Sequence, residues 1–170
     1  EKVQFGKEEH TRSVIQKEIT MSYNFVNNML QKLMYVLLIM TPVGIIIMIV
    51  PELREKYLWT TNIFLSLQFV AMLSYMLLNY TRKSVSISIP VLLLSGYLLE
   101  LIGVKTSVPF GSYIYTDTLQ PQILQVPLAI SLSWIVVVAG SFMIVSSVKS
   151  LNTFAFVTYS SVLVLAFDFL

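Results

Sequence analysis

Residues 100–134 read ELIGVKTSVPFGSYIYTDTLQPQILQVPLAISLSW and join the end of one apolar segment to the start of the next. Glu100 follows the run IPVLLLSGYLL, and a loop rich in tyrosine, threonine and proline comes before the chain turns apolar again. Because charge inside a bilayer is costly, an acid in such a segment is a candidate functional residue. The alternative is a helix-end acid that reaches out to the membrane interface.

The composition outside this stretch is typical of a membrane protein. The chain is 56% hydrophobic and 12% charged, with a mean hydropathy of +0.77. Several apolar stretches approach the roughly 20 residues that cross a bilayer core of about 30 Å. The net charge of +2 gives no sign of nucleic-acid binding, and the lack of cysteine excludes disulfides and thiolate metal sites. We therefore predict an all-α, polytopic integral membrane helix bundle.

About five transmembrane helices are predicted within one domain. Residues 1–29 are a polar segment, either an amphipathic helix on the membrane surface or a solvated extension, and residues 30–170 form the transmembrane domain. Pro42 is expected to kink the first span, and the residues PELREKY that follow it are expected to form a polar turn. Leu170 is expected to lie inside a last helix that is truncated. The expected spans are residues 33–50, 59–80, 85–104, 126–148 and 153–170, with a loop at 105–125.

The distribution of lysine and arginine predicts the orientation. With the N-terminus in the cytoplasm, eight basic residues fall on the inside and three on the outside, as the positive-inside rule favours. The inside set is Lys2, Lys7, Arg12, Lys17, Lys32, Arg82, Lys83 and Lys149, and the outside set is Arg54, Lys56 and Lys105. We therefore expect a cytoplasmic N-terminus and place the loop 105–125 on the outer face of the cell membrane.

The sequence excludes several kinds of chemistry. His10 is the only histidine, so the histidine clusters of a membrane di-iron oxygenase cannot form. Asp117 and Asp168 are the only aspartates, so the Asp-rich motifs that hold Mg²⁺ and diphosphate are missing. No glycine-rich phosphate loop is present either. We predict no metal and no cofactor, which leaves carboxyl groups and phenols as the reactive groups.

Three acids in the membrane half of the chain are candidate catalytic residues. Because low-dielectric surroundings favour the neutral form of a carboxyl group, Glu100 is the expected proton donor, and Asp168 would behave similarly. Asp117, in the loop, is expected to accept a proton or to orient water. The alternatives are an interhelical hydrogen bond for Asp168 and a turn-capping role for Asp117.

Aromatic side chains accompany these acids. Their π faces could stabilise a cationic intermediate. The alternative is the ordinary belt of tyrosine and tryptophan at the membrane interface. The residues concerned are Tyr97, Phe110, Tyr113, Tyr115 and Trp134.

A composite motif covers the same region and resembles a known family. The motif reads Glu100-x-x-Gly103-x-x-Thr106-x-x-Pro109-Phe110-Gly111-x-Tyr113-x-Tyr115, then Leu119, Val126-Pro127-Leu128-x-Ile130 and Trp134. This pattern is similar to that of the membrane carotenoid biosynthesis proteins, which include carotenoid 1,2-hydratases of the γ-carotene 1′-hydratase and bisanhydrobacterioruberin hydratase types. The chain departs from the family pattern, where glycine or proline is usual, at Ser107, Gln120, Gln125 and Ser131.

The resemblance implies a carotenoid 1,2-hydratase, which adds water to the terminal C1–C2 double bond of an acyclic carotenoid. Protonation at C2 gives a tertiary carbocation at C1, which water captures. Glu100 would then be the acid, while Asp117 or Asp168 would position the water or take up its proton. The expected substrate-binding residues are Tyr97, Thr106, Phe110, Tyr113, Tyr115 and Trp134.

Two other functions remain open from the sequence. A membrane lycopene cyclase shares the protonation step but closes a ring, and residues 51–55 (PELRE) weakly resemble its motif of proline and acid. A non-enzymatic transporter or assembly subunit would use an intramembrane acid as a proton or ion relay. The expected partners are a lipophilic carotenoid and membrane lipid, together with a second copy of the chain or other carotenoid enzymes, and no nucleic acid.

Overall fold

The computed structural model describes residues 2–108, 111–115, 117 and 119–168. Within these residues the chain is nearly all-α, with six helices and one two-stranded hairpin. The helices are α1 (Lys2–Ile49), α2 (Pro51–Tyr57), α3 (Thr60–Asn79), α4 (Arg82–Thr106), α5 (Leu128–Ser146) and α6 (Thr153–Asp168). The strands are β1 (Gln122–Ile123) and β2 (Val126–Pro127), which lie between α4 and α5.

Four of the helices are long and apolar enough to cross a membrane. They are the Val14–Ile49 part of α1 and the whole of α3, α4 and α5. The fifth apolar segment, α6, has 16 residues and is about 24 Å long, which is shorter than a bilayer core of about 30 Å. The predicted helical membrane bundle is confirmed, and the protein is an integral membrane protein.

The first span differs from its prediction in extent. One continuous helix runs from Lys2 to Ile49 and contains Pro42, so the polar N-terminal segment and the first span belong to the same helix. The predicted polar turn PELREKY was wrong, because these residues form the short helix α2. Pro51 occupies its first turn, where the missing N–H costs nothing, and Glu52 lies there beside the positive end of the helix dipole.

Helix α5 is the centre of the bundle. It packs against α3, α4 and α6, while α1 packs on the far side of α3. Ile135 in the middle of α5 is fully buried, whereas most large apolar side chains of α1 are exposed. This distribution suits a bundle whose outer surface contacts lipid, since apolar groups gain nothing by leaving hydrocarbon.

The loop between α4 and α5 is more ordered than expected. Helix α4 ends at Thr106 and is capped by Ser107, whose φ of 61° is left-handed and whose N–H donates to the Gly103 carbonyl oxygen. Further along, Ile123 pairs with Val126 in an antiparallel hairpin, closed by Leu124 and Gln125 with φ of 50° and 73°. Positive φ at both residues is the geometry of a type I′ turn.

The predicted start of the fourth span therefore needs correction. Val126 and Pro127 are a strand, and α5 begins at Leu128. The hairpin is tied into the fold because the Leu128 N–H donates to the Pro121 carbonyl oxygen at 3.0 Å. Both residues of β2 are buried, and β2 contacts α4 as well as α5. The hairpin thus anchors the loop across the end of these two helices.

Candidate active site

Glu100 is the buried acid at the centre of the site. Its side chain is only 6% exposed, although it carries a carboxyl group. It lies near the end of α4, on the same helix face as Gly96 and Gly103, which are both buried. Spacings of four and three residues place all three on one side of the helix, so α4 presents small residues and one acid to its neighbours.

Among the described residues, three side chains donate hydrogen bonds to this carboxyl group. The indole N–H of Trp134 donates to Oε1 at 2.8 Å. The hydroxyls of Tyr113 and Tyr115 donate to Oε2 at 2.9 Å and 2.7 Å. We call Glu100, Tyr113, Tyr115 and Trp134 the Glu100 cluster. Each donor in the cluster is a neutral aromatic group. Both carboxyl oxygens therefore have hydrogen-bond partners in the cluster, and none of these partners is a positively charged residue.

The two tyrosines reach one oxygen because of their spacing. Ile114, between the two tyrosines, is 86% exposed, whereas Tyr113 and Tyr115 are half-buried, so the two tyrosines lie on the side of the segment opposite to Ile114. Their rings meet edge to face, with centroids 5.5 Å apart and planes at 84°. The segment begins at Gly111, where φ is +84° and where the N–H donates to the Ser107 carbonyl oxygen. The loop is thereby folded back over the end of α4.

Trp134 reaches Glu100 because α4 and α5 approach closely. A Cβ atom added to Gly96 would lie 2.7 Å from Cβ of Trp134 and 2.8 Å from its Cγ. Only glycine leaves room for the indole at this point. Since Gly96 lies one turn before Glu100, the indole extends along α4 and brings its N–H to the carboxyl group. Gly96 was not predicted as part of the site, although a glycine one turn before an acid in an apolar helix is a usable signal.

Tyr97 and Thr106 hold the loop by contacts to backbone. The Tyr97 hydroxyl donates to the Ile123 carbonyl oxygen at 3.2 Å, which links α4 to the hairpin. The Thr106 hydroxyl donates to the Ile102 carbonyl oxygen at 2.7 Å and accepts from the Val108 N–H at 3.3 Å. These contacts fix the exit of the chain from α4, and both residues stay proposals as substrate-binding groups.

The two aspartates lie in different settings. Asp117 is exposed in the loop between Tyr115 and the hairpin. Asp168 is the last residue of α6, and its side chain lies outside the described part of the chain. Phe110 also lies outside the described residues. The structure therefore brings together Glu100, Tyr113, Tyr115 and Trp134 from the residues predicted for the site.

The packing of α6 still gives the level of Asp168 in the bundle. Phe142 of α5 stacks on Phe156 of α6, with centroids 5.5 Å apart. The connection 147–152 is short, so α5 and α6 run antiparallel. Asp168 comes about twelve residues after Phe156, and it therefore lies level with the residue about twelve before Phe142, which is Ile130. The end of α6 therefore returns to the end of the bundle that carries the Glu100 cluster.

One buried hydroxyl near the site was not predicted. Ser131 lies one turn before Trp134 on α5, is 1% exposed, and its Oγ has no hydrogen-bond partner within the described structure.

The described residues also contain no group of three histidine, aspartate or glutamate side chains that could hold a metal ion.

A comparison with protein families assigns the chain. The model described as carotenoid biosynthesis protein matches residues 60–170, which contain the entire Glu100 cluster. The chain belongs to the carotenoid biosynthesis protein family. Comparison with curated proteins and with solved structures finds no significant match.

Membership in the carotenoid biosynthesis protein family confirms the resemblance found in residues 100–134. It gives the chain a role in carotenoid biosynthesis and implies a lipophilic carotenoid as substrate. A carotenoid dissolves in the bilayer, so it can reach a site between membrane helices laterally. The match begins at Thr60, the first residue of α3, so α1 and α2 lie outside it.

Proposed function

We propose that this protein is a carotenoid hydratase that acts on the terminal C1–C2 double bond of an acyclic carotenoid end. Glu100 supplies the proton that goes to C2, and water captures the tertiary carbocation at C1. The product is a tertiary alcohol. The observation that carries the proposal is a buried carboxyl group held by three neutral aromatic donors at a helix end of a carotenoid biosynthesis protein.

The hydrogen bonds around Glu100 support its role as an acid. A carboxylate left behind in a dry site would be costly without partners. Here Trp134, Tyr113 and Tyr115 already point their donors at its two oxygens. Hydrogen bonds to a charged oxygen are stronger than those to a neutral one, so the cluster stabilises the state formed after proton transfer.

The same aromatic groups suit the carbocation. Ring faces attract cations, most strongly for tryptophan, and the rings of Tyr113, Tyr115 and Trp134 all surround the acid. The carboxylate formed at Glu100 would be the counter-charge of the cation. A site that excludes bulk water also protects such a cation from other reactions until the one reacting water arrives.

The water and its proton need a second group, which we propose is Asp117 or Asp168. Asp168 ends α6 at the level of the Glu100 cluster, and Asp117 belongs to the loop that carries both tyrosines. We further propose that the N-terminus is cytoplasmic, with the loop at the outer face of the cell membrane. Water would then enter from the side where the loop is exposed.

The test is pigment analysis in cells that make lycopene or γ-carotene and express the protein. Liquid chromatography with mass spectrometry should show a more polar carotenoid that is heavier by one water. Glu100→Gln keeps the shape but cannot donate an acidic proton, and it should lower product by at least about 100-fold, the usual scale of general acid catalysis. The matched control is Glu52→Gln, at an exposed glutamate of α2, which should leave the product unchanged.

Other outcomes would contradict the proposal. An isomer of unchanged mass would show cyclisation. Unaltered pigment, with the protein present in the membrane, would favour a non-enzymatic role. Full activity of Glu100→Gln would remove Glu100 as the acid.

A further inference from the structure

We infer that Tyr115 relays the proton from Glu100 to the carotenoid, so that a phenol and not the carboxyl group touches the reacting double bond. The inference rests on the proposed protonation of a carotenoid double bond at this site. It assigns Tyr115 a catalytic role in addition to contact with the substrate.

Trp134 fixes the oxygen that carries the acidic proton. An indole N–H can only donate a hydrogen bond, so Oε1 of Glu100 must accept in every protonation state. When the carboxyl group is neutral, its proton is more stable on Oε2, because a phenol oxygen can accept a hydrogen bond from it and the indole N–H beside Oε1 cannot. Oε2 is the oxygen that faces both tyrosine hydroxyls.

Burial prevents direct contact between this proton and a substrate. Glu100 is 6% exposed, and its two oxygens already have the three donors of the cluster around them. A carbon atom of a large polyene cannot approach Oε2 without displacing a tyrosine. A phenol hydroxyl can accept one proton while it donates its own, which the indole cannot do. The proton must therefore leave through Tyr113 or Tyr115.

The geometry favours Tyr115 over Tyr113. The Tyr115 hydroxyl lies 2.7 Å from Oε2, whereas the Tyr113 hydroxyl lies at 2.9 Å. The two rings meet edge to face, so each limits the movement of the other. We assign the relay to Tyr115, the nearer phenol, and a positioning role to Tyr113.

The relay balances in atoms and charge. The Oε2 proton of Glu100 moves to the Tyr115 oxygen as the original phenol proton forms a C–H bond at C2 of the substrate. The π electrons of the double bond form that C–H bond and leave the cation at C1, while Glu100 becomes a carboxylate. Water then bonds to C1 through its oxygen and loses a proton to the proposed acceptor, Asp117 or Asp168. That acceptor releases the proton to solvent, and Glu100 regains one from solvent. The net change is addition of one water.

The first test compares two matched variants in membranes supplied with the carotenoid. Tyr115→Phe should lower the rate of product formation by at least about 100-fold, the scale of a lost general acid. Tyr113→Phe should lose less than about tenfold, since it removes only one of three donors. Tyr35→Phe, at a 69% exposed tyrosine of α1, is the control and should keep the wild-type rate. A loss in Tyr115→Phe no greater than that in Tyr113→Phe would overturn the assignment.

A second measurement separates proton transfer from structure. A fluorinated tyrosine, which keeps the hydroxyl but has a more acidic phenol, is placed at residue 115 or at residue 113. The relay predicts a large change of rate with phenol acidity at residue 115. It predicts a smaller change at residue 113, where the phenol only donates a hydrogen bond to Glu100. Equal rates for tyrosine and fluorotyrosine at residue 115 would overturn the relay, because a positioning role needs only the hydroxyl and the ring.

Product identity keeps this test distinct from that of the proposed function. If the product is cyclised but its rate depends on Tyr115 as described, hydration is wrong and the relay stands. If the product is hydrated and Tyr115→Phe matches Tyr113→Phe, hydration stands and the relay is wrong. If the wild-type protein leaves the pigment unaltered, both are wrong.

Discussion

The buried carboxyl group of Glu100 is stabilised by hydrogen bonds from three aromatic side chains. Removal of one partner from a buried polar pair leaves the other unsatisfied, which usually costs more than the hydrogen bond itself contributed. Trp134 is the only donor to Oε1 among the hydrogen bonds of the Glu100 cluster. Glu100 should therefore respond sharply to changes at residue 134.

Trp134→Phe removes this donor while keeping an aromatic ring. We expect a loss of about 1–3 kcal/mol in the free energy of unfolding, the usual cost of an unsatisfied buried group. Pigment conversion should also fall, because Oε1 then becomes a second place for the acidic proton. Thermal unfolding in detergent and pigment analysis are the measurements.

The other tryptophan supplies the control for this prediction. Trp59 is 53% exposed beside the start of α3, so Trp59→Phe should change neither stability nor conversion appreciably. Similar losses of stability and conversion in both variants would show that the hydrogen bond from Trp134 to Glu100 does not account for the effect.

At the scale of elements, the site depends on how closely α4 and α5 approach. Trp134 lies against Gly96, and the loop between the two helices is fixed by the hairpin and by the turn at Ser107. Ser107 and Gln125, two positions where the resemblance led us to expect glycine, have φ of 61° and 73°. Glycine adopts this conformation without strain, so the backbone keeps a shape that favours glycine although other residues occupy it.

Gly96→Ala tests the close approach. The new Cβ would lie 2.7 Å from Trp134, so the indole or one helix must shift. Overpacking of this kind costs about 1–3 kcal/mol, and conversion should fall as the Trp134 contact to Glu100 lengthens. The same two measurements apply, unfolding in detergent and pigment analysis.

Gly44→Ala is the matched control within α1. Nothing lies within 4 Å of a Cβ added there, and alanine is about 1 kcal/mol better than glycine inside a helix. We expect unchanged conversion and equal or higher stability. A Gly96→Ala protein that behaves like Gly44→Ala would show that the helices separate without affecting the site.

The sequence predicted the main helices and the residues of the cluster, but only part of the loop. Long apolar runs are read from composition, and Glu100, Tyr113, Tyr115 and Trp134 stood out as polar or aromatic groups beside them. The hairpin was missed because its turn, Leu124-Gln125, lacks the Asn-Gly or Asp-Gly pair that marks a type I′ turn. Helix α2 was missed because seven mostly polar residues give too short a pattern.

Contacts between distant segments could not be read from the sequence. Trp134 packs against Gly96, which is 38 positions away in the sequence, and no local sequence pattern specifies such a contact. The same holds for Asp117, which was grouped with the site as an acid of the loop but is exposed. Only the packing of the folded chain distinguishes the buried, hydrogen-bonded Glu100 from the exposed Asp117.

At the scale of the whole molecule, the proposed active site lies at one end of the bundle. Helices α3, α4 and α6 surround α5, and the Glu100 cluster lies where α4 ends and α5 begins. At the other end, a cavity of about 400 Å³ lies between α3, α4, α5 and α6, lined mainly by apolar side chains such as Met76, Leu92 and Phe142. The membrane orientation decides which aqueous phase would supply water in the proposed reaction.

Orientation can be measured directly because the natural chain contains no cysteine. Ser112→Cys and Ser147→Cys place single thiols at exposed positions on opposite ends of the bundle. With a cytoplasmic N-terminus, a membrane-impermeant maleimide should label Ser112→Cys in intact cells and Ser147→Cys only after permeabilisation. The reverse pattern would place the loop inside and contradict the proposed orientation.

The most direct measurement of the central claim follows the transferred proton into the product. Membranes containing the protein are incubated with the acyclic carotenoid in D₂O, and the product is washed with ordinary water before mass spectrometry. Hydration with Glu100 as acid predicts a product heavier by one water that retains one deuterium at C2, with at least about 100-fold less product from Glu100→Gln than from Glu52→Gln. A product without retained deuterium, an isomer of unchanged mass, or equal activity of the two variants would contradict it.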